Sequence, residues 1–280
     1  MGAVFTRSLE ELDPRIEPFL AARPERNVAA SLLSHARSGA LADTELLLAW
    51  DAGADDAISY FAMRTPPWPL LVSELRRPHA EELIELWLSH DGAVPGVSGV
   101  PAAAHAIEDA WMRRTGGQTR CRMRDAMHLL EEVIDPRKPP AGQLRPAREQ
   151  DRGLLVAWEQ EFVSEAGVIP QAGAEAERTV ARRLVTGAQY VWQDGEPVST
   201  LALSPLIAGT VRIGPVYTPP PQRRRGYASA AVAAACHRAL SDGAERCMLF
   251  TDLANPTSNK IYAAVGFRRF ADWVELEFLL

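Results

Sequence analysis

The sequence predicts an α/β fold, a mixed β-sheet flanked by helices and built as two similar halves. Three observations predict it. The length of 280 residues exceeds that of an ordinary single domain and suits two. In the second half, short β-branched or aromatic runs alternate with longer segments of helical periodicity, the pattern of a sheet covered by helices. Finally, Leu46–Met63 and Ala188–Pro205 echo one another. Each is an apolar run carrying a Trp (Trp50, Trp192), then a turn with Gly53 or Gly195, then a second strand-like run.

The Pro- and Gly-rich passage from Ile134 to Pro146 reads as a linker, giving expected domains of 1–140 and 141–280. Within the second, 143–148 reads as a strand, 150–165 as an acid-rich amphipathic helix, and 174–186 as another helix. Strands follow at 189–193, 197–204 and 210–217, the first two joined through Asp194-Gly195, a strong hairpin signal. A helix is expected at 224–241, stopped by Gly243. A strand at 246–251, a short helix at 256–265 and a last strand region at 267–279 complete the half.

Composition narrows the function. A hydrophobic share of 47% with 24% charged residues describes a globular chain that can bury two cores. The net charge of −6 argues against a general nucleic-acid binder. All of that excess lies in residues 1–140, where 15 Lys and Arg face 21 Asp and Glu, whereas 141–280 balances 15 against 15. Cys121, Cys236 and Cys247 are widely spaced without a ligand pattern, and the histidines are scattered, so reduced thiols, a cytoplasmic location and no metal site are expected. No apolar run of membrane-spanning length and no signal-peptide core occurs. Gly2 and Thr6 fit a myristoylation pattern, but no polybasic second signal follows, so no membrane association is expected.

One segment carries the chemistry. Val216-Tyr217-Thr218 ends a strand at Pro219, Pro220 and Pro221, which cannot donate to a sheet ladder, so the strand is expected to leave its partner there. Arg223, Arg224 and Arg225 then stand at the start of an Ala-rich helix, where the dipole repels cations and favours anions. Gly226, Ala228 and Ser229 are small enough for a ligand to approach the bare backbone. The first amides of a helix lack internal partners, so an anion would satisfy them and the arginines together. Neither a GxxxxGK motif with a magnesium carboxylate nor a GxGxxG after a first strand is present, which leaves a diphosphate held without metal. A solvent-facing Arg cluster is the competing reading.

Arg223-Arg224-Arg225-Gly226-Tyr227-Ala228, after the strand and proline turn, resembles motif A of the GNAT family of N-acetyltransferases, whose core is Q/R-x-x-G-x-G/A. A later segment is similar to the family's N-x-x-A/S-x-x-x-Y-x-x-x-G-F/Y, filled by Asn255, Ser258, Tyr262, Gly266 and Phe267. The resemblance covers about residues 142–280 and implies a GNAT-type mixed, splayed sheet, with two tandem GNAT-like domains if the halves are duplicates. It implies acetyl-CoA as co-substrate, with Val216, Tyr217 and Thr218 along the pantetheine arm and residues 223–229 around the pyrophosphate. It further implies contact of Asn255 with the pantetheine arm and of Tyr262 with the thioester sulfur. A Tyr hydroxyl, protonated at neutral pH, is a suitable proton donor to a departing thiolate.

The expected activity is direct acetyl transfer to a primary amine of a small molecule or peptide. A non-catalytic acyl-CoA sensor and transfer of a longer acyl chain are the alternatives. Some relatives carry a basic Glu on the strand before motif A, but this chain has Arg212 there and no carboxylate from Thr210 to Tyr217. Asp252, Glu159, Glu161, or a water chain therefore remain as proton acceptors, and Glu159, Glu161 and Glu165 also read as a solvated acidic face. In the first half, Gly96–Pro101 before Ala102–Arg114 sits where a phosphate loop would be, without an Arg escort, so that half is expected to be a degenerate copy.

Overall fold

The computed structural model describes residues 2–53, 57–166 and 173–280. The first elements are β1 (Val4–Thr6), α1 (Ile16–Ala21), α2 (Asn27–Arg37), β2 (Leu47–Ala52), β3 (Ile58–Arg64), β4 (Leu70–Val72), α3 (Arg77–His90), β5 (Gly96–Gly99), α4 (Pro101–Thr115) and β6 (Gln118–Leu130). They are followed by β7 (Gln143–Pro146), α5 (Arg152–Glu165), α6 (Gly173–Val185), β8 (Gln189–Asp194), β9 (Glu196–Leu203), β10 (Thr210–Tyr217), α7 (Tyr227–Ser241), β11 (Arg246–Asp252), α8 (Pro256–Val265) and β12 (Arg268–Leu279). The chain divides into two compact units. One holds Met1–Met127, Thr251–Ala254 and Phe270–Leu280; the other holds His128–Phe250 and Asn255–Arg269.

The first unit has strand order β1-β2-β3-β4-β5-β12-β6. The expected strand at the C-terminus forms, but it does not stay with the half that precedes it. β12 pairs antiparallel with β5, Val274 opposite Gly99 and Leu276 opposite Val97. Alternation along the strand sends Val274, Leu276 and Phe278 into the first unit's core, where Phe278 stacks on Trp111 at 4.3 Å. The expected division at 140 therefore has Phe270–Leu280 on the far side of where the chain packs it.

The second unit has order β11-β10-β9-β8-β7. Its hairpin turns at Gly195, whose φ of 71° suits glycine. One sheet face buries Val198, Leu201, Val211 and Ile213 beneath α7, whose alanines allow close approach. The other buries Val191 and Tyr217 against Leu155 and Trp158 of α5 and Val180 of α6. Ile213 and Tyr217 would share a face in a regular strand. They do not, because the β9–β10 register shifts between Ile213 and Val216.

The two units repeat one connection. β4–α3–β5–α4 follows the order of β10–α7–β11–α8, with β4 and β5 parallel and β10 and β11 parallel. This corrects the reading of Gly96–Pro101 as the phosphate-loop position. The helix after the first strand of the parallel pair is α3, and the connection before it is Ser73–Arg76. Gly96 belongs to β5, and a Cβ there would lie 2.1 Å from the Leu276 carbonyl oxygen. Close approach of β12, not of a phosphate, is what requires that glycine. The turn of the matching hairpin, between β2 and β3, includes 54–56, outside the described residues.

Candidate active site

β10 forks from β11. The parallel register runs Thr210–Arg246, Val211–Cys247 and Arg212–Met248, and β10 then continues to Tyr217 paired only with β9. The separation thus begins well before Pro219–Pro221, where the sequence had suggested it. Pro215 has no amide for a ladder, Gly214 sits at φ 145°, and the shifted register falls at the same place.

Beyond the fork the chain turns through Pro220–Gln222. Arg224 is left-handed at φ 62°, as is Gly226 at φ 85°, which caps α7 without any side-chain bond. The helix therefore begins at Tyr227 rather than at 224, and the three arginines belong to the turn before it. Gln222 and Arg223 donate their amides to Pro219 and Pro220. The amides from Arg224 to Ser229 find no acceptor among the described residues, the next bond being Ala230 to the Gly226 carbonyl at 3.0 Å. Six consecutive donors and three exposed guanidinium groups thus converge on one turn. Pro140 of the expected linker lies against this turn, 3.6 Å from where a Gly226 Cβ would be. Ala141 accepts from Trp192 Nε1 at 3.0 Å, so this part of the linker is fixed to the sheet.

The side chains divide by role. Arg223 donates through Nε to the Thr218 carbonyl and through Nη2 to both Glu165 oxygens, at 2.8 and 2.6 Å. Arg225 donates to Gln222 at 2.6 Å, and Arg224 is exposed. Tyr217 and Tyr227 are buried, with Arg223 5.7 Å and Arg225 5.3 Å from their ring centres, and Tyr217 donates to Glu161 at 2.6 Å and Tyr227 to Asp194 at 2.6 Å. Only their backbones are available to a ligand. Thr218 exchanges a hydrogen bond with Ser199 at 2.8 Å, and Val216 is half-buried against the α7 face. Ala228 and Ser229 are half-buried.

At α8, Asn255 caps the helix by accepting from the Ser258 amide at 3.1 Å, and Pro256 occupies the first turn. Gly266 closes it at φ 113°. Tyr262 is buried beside Phe267, and its hydroxyl has no hydrogen-bond partner among the described residues. Burial pushes its pKa up to about 12, so it remains a proton donor across the ordinary pH range.

The α5 acids are committed rather than simply solvated. Glu159 is held by Arg183 at 2.7 Å, Glu161 by Tyr217, and Glu165 by Arg223. Two charged groups escaped the sequence reading. Arg212 was noted only as a replacement for a carboxylate, yet its Nη1 is buried without a partner. In the first unit, Asp125 of β6 is 9% exposed, and burial, then the charges of Asp252 and Glu275, push its pKa up to about 7. Both properties arise from neighbours distant in sequence, and no local signal marks them. Among the described residues, no group of His, Cys, Asp and Glu could hold a metal, and no helix is long and apolar enough to cross a membrane.

The forked strand, the cation-lined turn with bare amides and the capped helix carrying Tyr262 all lie in a segment matched by the Acetyltransferase (GNAT) family model, at residues 145–267. Residues 145–267 form a GNAT-family domain. Solved structures extend the likeness of fold to the whole chain. A GNAT-family acetyltransferase from Colwellia psychrerythraea is 12% identical, with 100% of both chains covered and a TM-score of 0.63. A GCN5-related N-acetyltransferase from Sphaerobacter thermophilus is 17% identical, covering 99% of this chain and 95% of its own, with a TM-score of 0.62. A tandem GNAT protein from the clavulanic acid biosynthesis pathway is 13% identical, covering 98% of each, with a TM-score of 0.61. No curated protein matches the sequence. The matched segment is of the acetyltransferase (GNAT) family, and the fold across the chain is the α/β GNAT type with mixed sheets.

Proposed function

We propose that the GNAT domain transfers the acetyl group of acetyl-CoA directly to a primary amine of a small molecule or peptide, inside the cytoplasm. The observation that carries this reading is the run of unsatisfied amides from Arg224 to Ser229 flanked by three exposed arginines. A helix start with bare donors and cations suits an anion such as a diphosphate. The open edge of β10 from Ile213 to Tyr217 offers backbone groups to an extended arm, with Val216, Tyr217 and Thr218 in reach through their main chain. Asn255 keeps its side-chain nitrogen free of the capping bond and Ser258 its hydroxyl, so both fit a polar contact with the same arm.

Tyr262 is the proton donor in this reading. Its hydroxyl is unpartnered and protonated at neutral pH, the state needed to quench a thiolate leaving group. The committed pairs of Glu159, Glu161 and Glu165 leave a water chain to take the amine proton. The first unit reads as a degenerate copy that repeats the topology with a shorter turn that lacks left-handed residues. The two buried free thiols, Cys236 and Cys247, suit a reducing compartment.

The test is Tyr262→Phe. General acid catalysis contributes about 10²–10⁴-fold, so turnover should fall by at least about 100-fold while acetyl-CoA affinity stays within a few-fold. The wild-type rate should show no loss attributable to Tyr262 below about pH 11, given a pKa near 12. Undiminished turnover in the variant would remove Tyr262 from the reaction.

A further inference from the structure

Arg212 is the last β10 residue paired with β11, so it stands at the apex of the fork. Its neighbours Val211 and Ile213 bury against α7, and strand alternation sends Arg212 to the opposite face, under α5 and α6. The backbone there is satisfied: its amide donates to Ser204 Oγ at 2.8 Å and its carbonyl accepts from the Ser204 amide at 2.8 Å. The side chain, half-buried overall, is not, since Nη1 is buried and has no hydrogen-bond partner among the described residues.

The surroundings deepen the imbalance. Burial, then the charge of Arg183, lowers the Arg212 pKa to about 10, which still leaves it a cation. Arg182, on the same helix as Arg183, is also held below its ordinary value by burial and by Arg183, against the pull of Glu175 and Glu159. The carboxylate available on α5, Glu159, is already bound to Arg183 at 2.7 Å. A guanidinium nitrogen buried without a counter-ion is costly, and arginine's fork of donors matches a planar oxyanion. At the apex of the fork, this half-buried side chain is placed to take an anion from outside.

We propose that Arg212 binds an oxyanion of the acceptor, so that the acceptor is an amine that also carries a carboxylate or phosphate group. This rests on the acetyl-transfer reading and specifies its substrate class. A carboxylate at this position would repel such a group, whereas Arg212 recruits it. The acceptor's amine would then be held at the fork by its own anionic end.

The experiment compares matched acceptors with wild type and Arg212→Gln. The pairs are α-amino acids against their α-amides, and O-phosphoethanolamine against ethanolamine. A hydrogen bond to a charged group predicts about 10- to 100-fold higher kcat/KM for the anionic member of one pair type, expressed mainly in KM. In Arg212→Gln that ratio should collapse to within a few-fold of one. The pair type that shows it identifies carboxylate or phosphate. Equal rates for both members of each pair in wild type, or a ratio untouched by Arg212→Gln, would overturn the proposal.

A second measurement stands apart from activity. In buffer free of oxyanions, Arg212→Met should melt at a higher temperature than wild type, because an uncompensated buried charge has been removed. N-acetylglycine or inorganic phosphate should raise the melting temperature of wild type and not of the variant. A variant that melts lower, with neither anion stabilising wild type, would make Arg212 a structural residue and sink the idea. If these shifts appear but no amine is acetylated, the acetyl-transfer reading fails while the oxyanion site stands.

Discussion

Glu165 should restrain the very arginine that the proposed diphosphate needs. Arg223 Nη2 reaches both Glu165 oxygens, at 2.8 and 2.6 Å, from side chains that are 42% and 46% exposed. An exposed pair of this kind contributes about 0.2–1 kcal/mol. If Arg223 must turn to a diphosphate, that pair is lost on binding. If it stays, a carboxylate remains beside the incoming anion at a similar cost. Glu165→Gln removes either cost and should tighten acetyl-CoA binding by up to about fivefold, the equivalent of about 1 kcal/mol. Tyr217 keeps its 2.6 Å bond to Glu161, so the packing under α5 survives the change. Titration calorimetry at low and moderate salt measures the effect, which should shrink as salt screens exposed charges. Arg223→Gln should loosen binding, and in that background Glu165→Gln should gain nothing. Weaker binding by Glu165→Gln, or the same gain with and without Arg223, would refute the assignment of Arg223 to the anion.

The remaining predictions concern the turn and the first unit. Gly226→Val places a β-branched residue at φ 85°, a left-handed conformation costing about 1–2 kcal/mol, with Pro140 at ordinary contact distance. Acetyl-CoA affinity should drop by about tenfold or more by calorimetry, and unaltered affinity would dissociate the turn from the ligand. For Asp125 the folded pKa of about 7 lies above the unfolded value of 3.8, so the native state holds the extra proton between these values. Stability therefore falls as pH rises from about 4 to 7 and stays reduced above, by at most about 4 kcal/mol. Asp125→Asn should raise the melting temperature at pH 8 and scarcely change it at pH 4.5; equal shifts at both would show that its ionisation is not the cause.

Much of the second unit was legible because its signals are local. Gly195 sets the hairpin, Asn255 and Pro256 start α8, and Gly266 ends it, each by backbone requirements of the residue itself. The cationic turn was legible as a contradiction between charge and helix dipole, although its geometry was displaced: Arg224 and Gly226 delay the helix to Tyr227. What stayed hidden depends on partners far along the chain. The apolar alternation of β12 marks a strand equally well in either half, and only its pairing with β5 decides. Gly96 looks like a loop glycine until Leu276 is found against it. Arg212 and Asp125 are ordinary surface residues by sequence; burial leaves one with an unpartnered nitrogen among the described residues and, with the charges of Asp252 and Glu275, makes the other a proton-holding carboxyl.

The repeated connection allows the two helix starts to be compared as a natural substitution. Between β10 and α7 the chain spends Thr218 to Gly226, two left-handed residues and three arginines on a turn with bare amides. Between β4 and α3 it spends only Ser73 to Arg76, where Glu74 and Arg76 balance and exposed Arg77 opens the helix. Burial raises the Glu74 pKa, but the hydrogen bond and charge of Arg26 at 2.8 Å, with Arg23 at 3.4 Å, outweigh it and hold the carboxyl below its ordinary value. Those two arginines are therefore spent on Glu74, and an anion approaching α3 would meet that carboxylate beside Arg76 and Arg77. Topology alone cannot make the diphosphate site, since both units have it. The length of the turn and its two left-handed residues are what differ, and both favour an anion at the second unit's helix start.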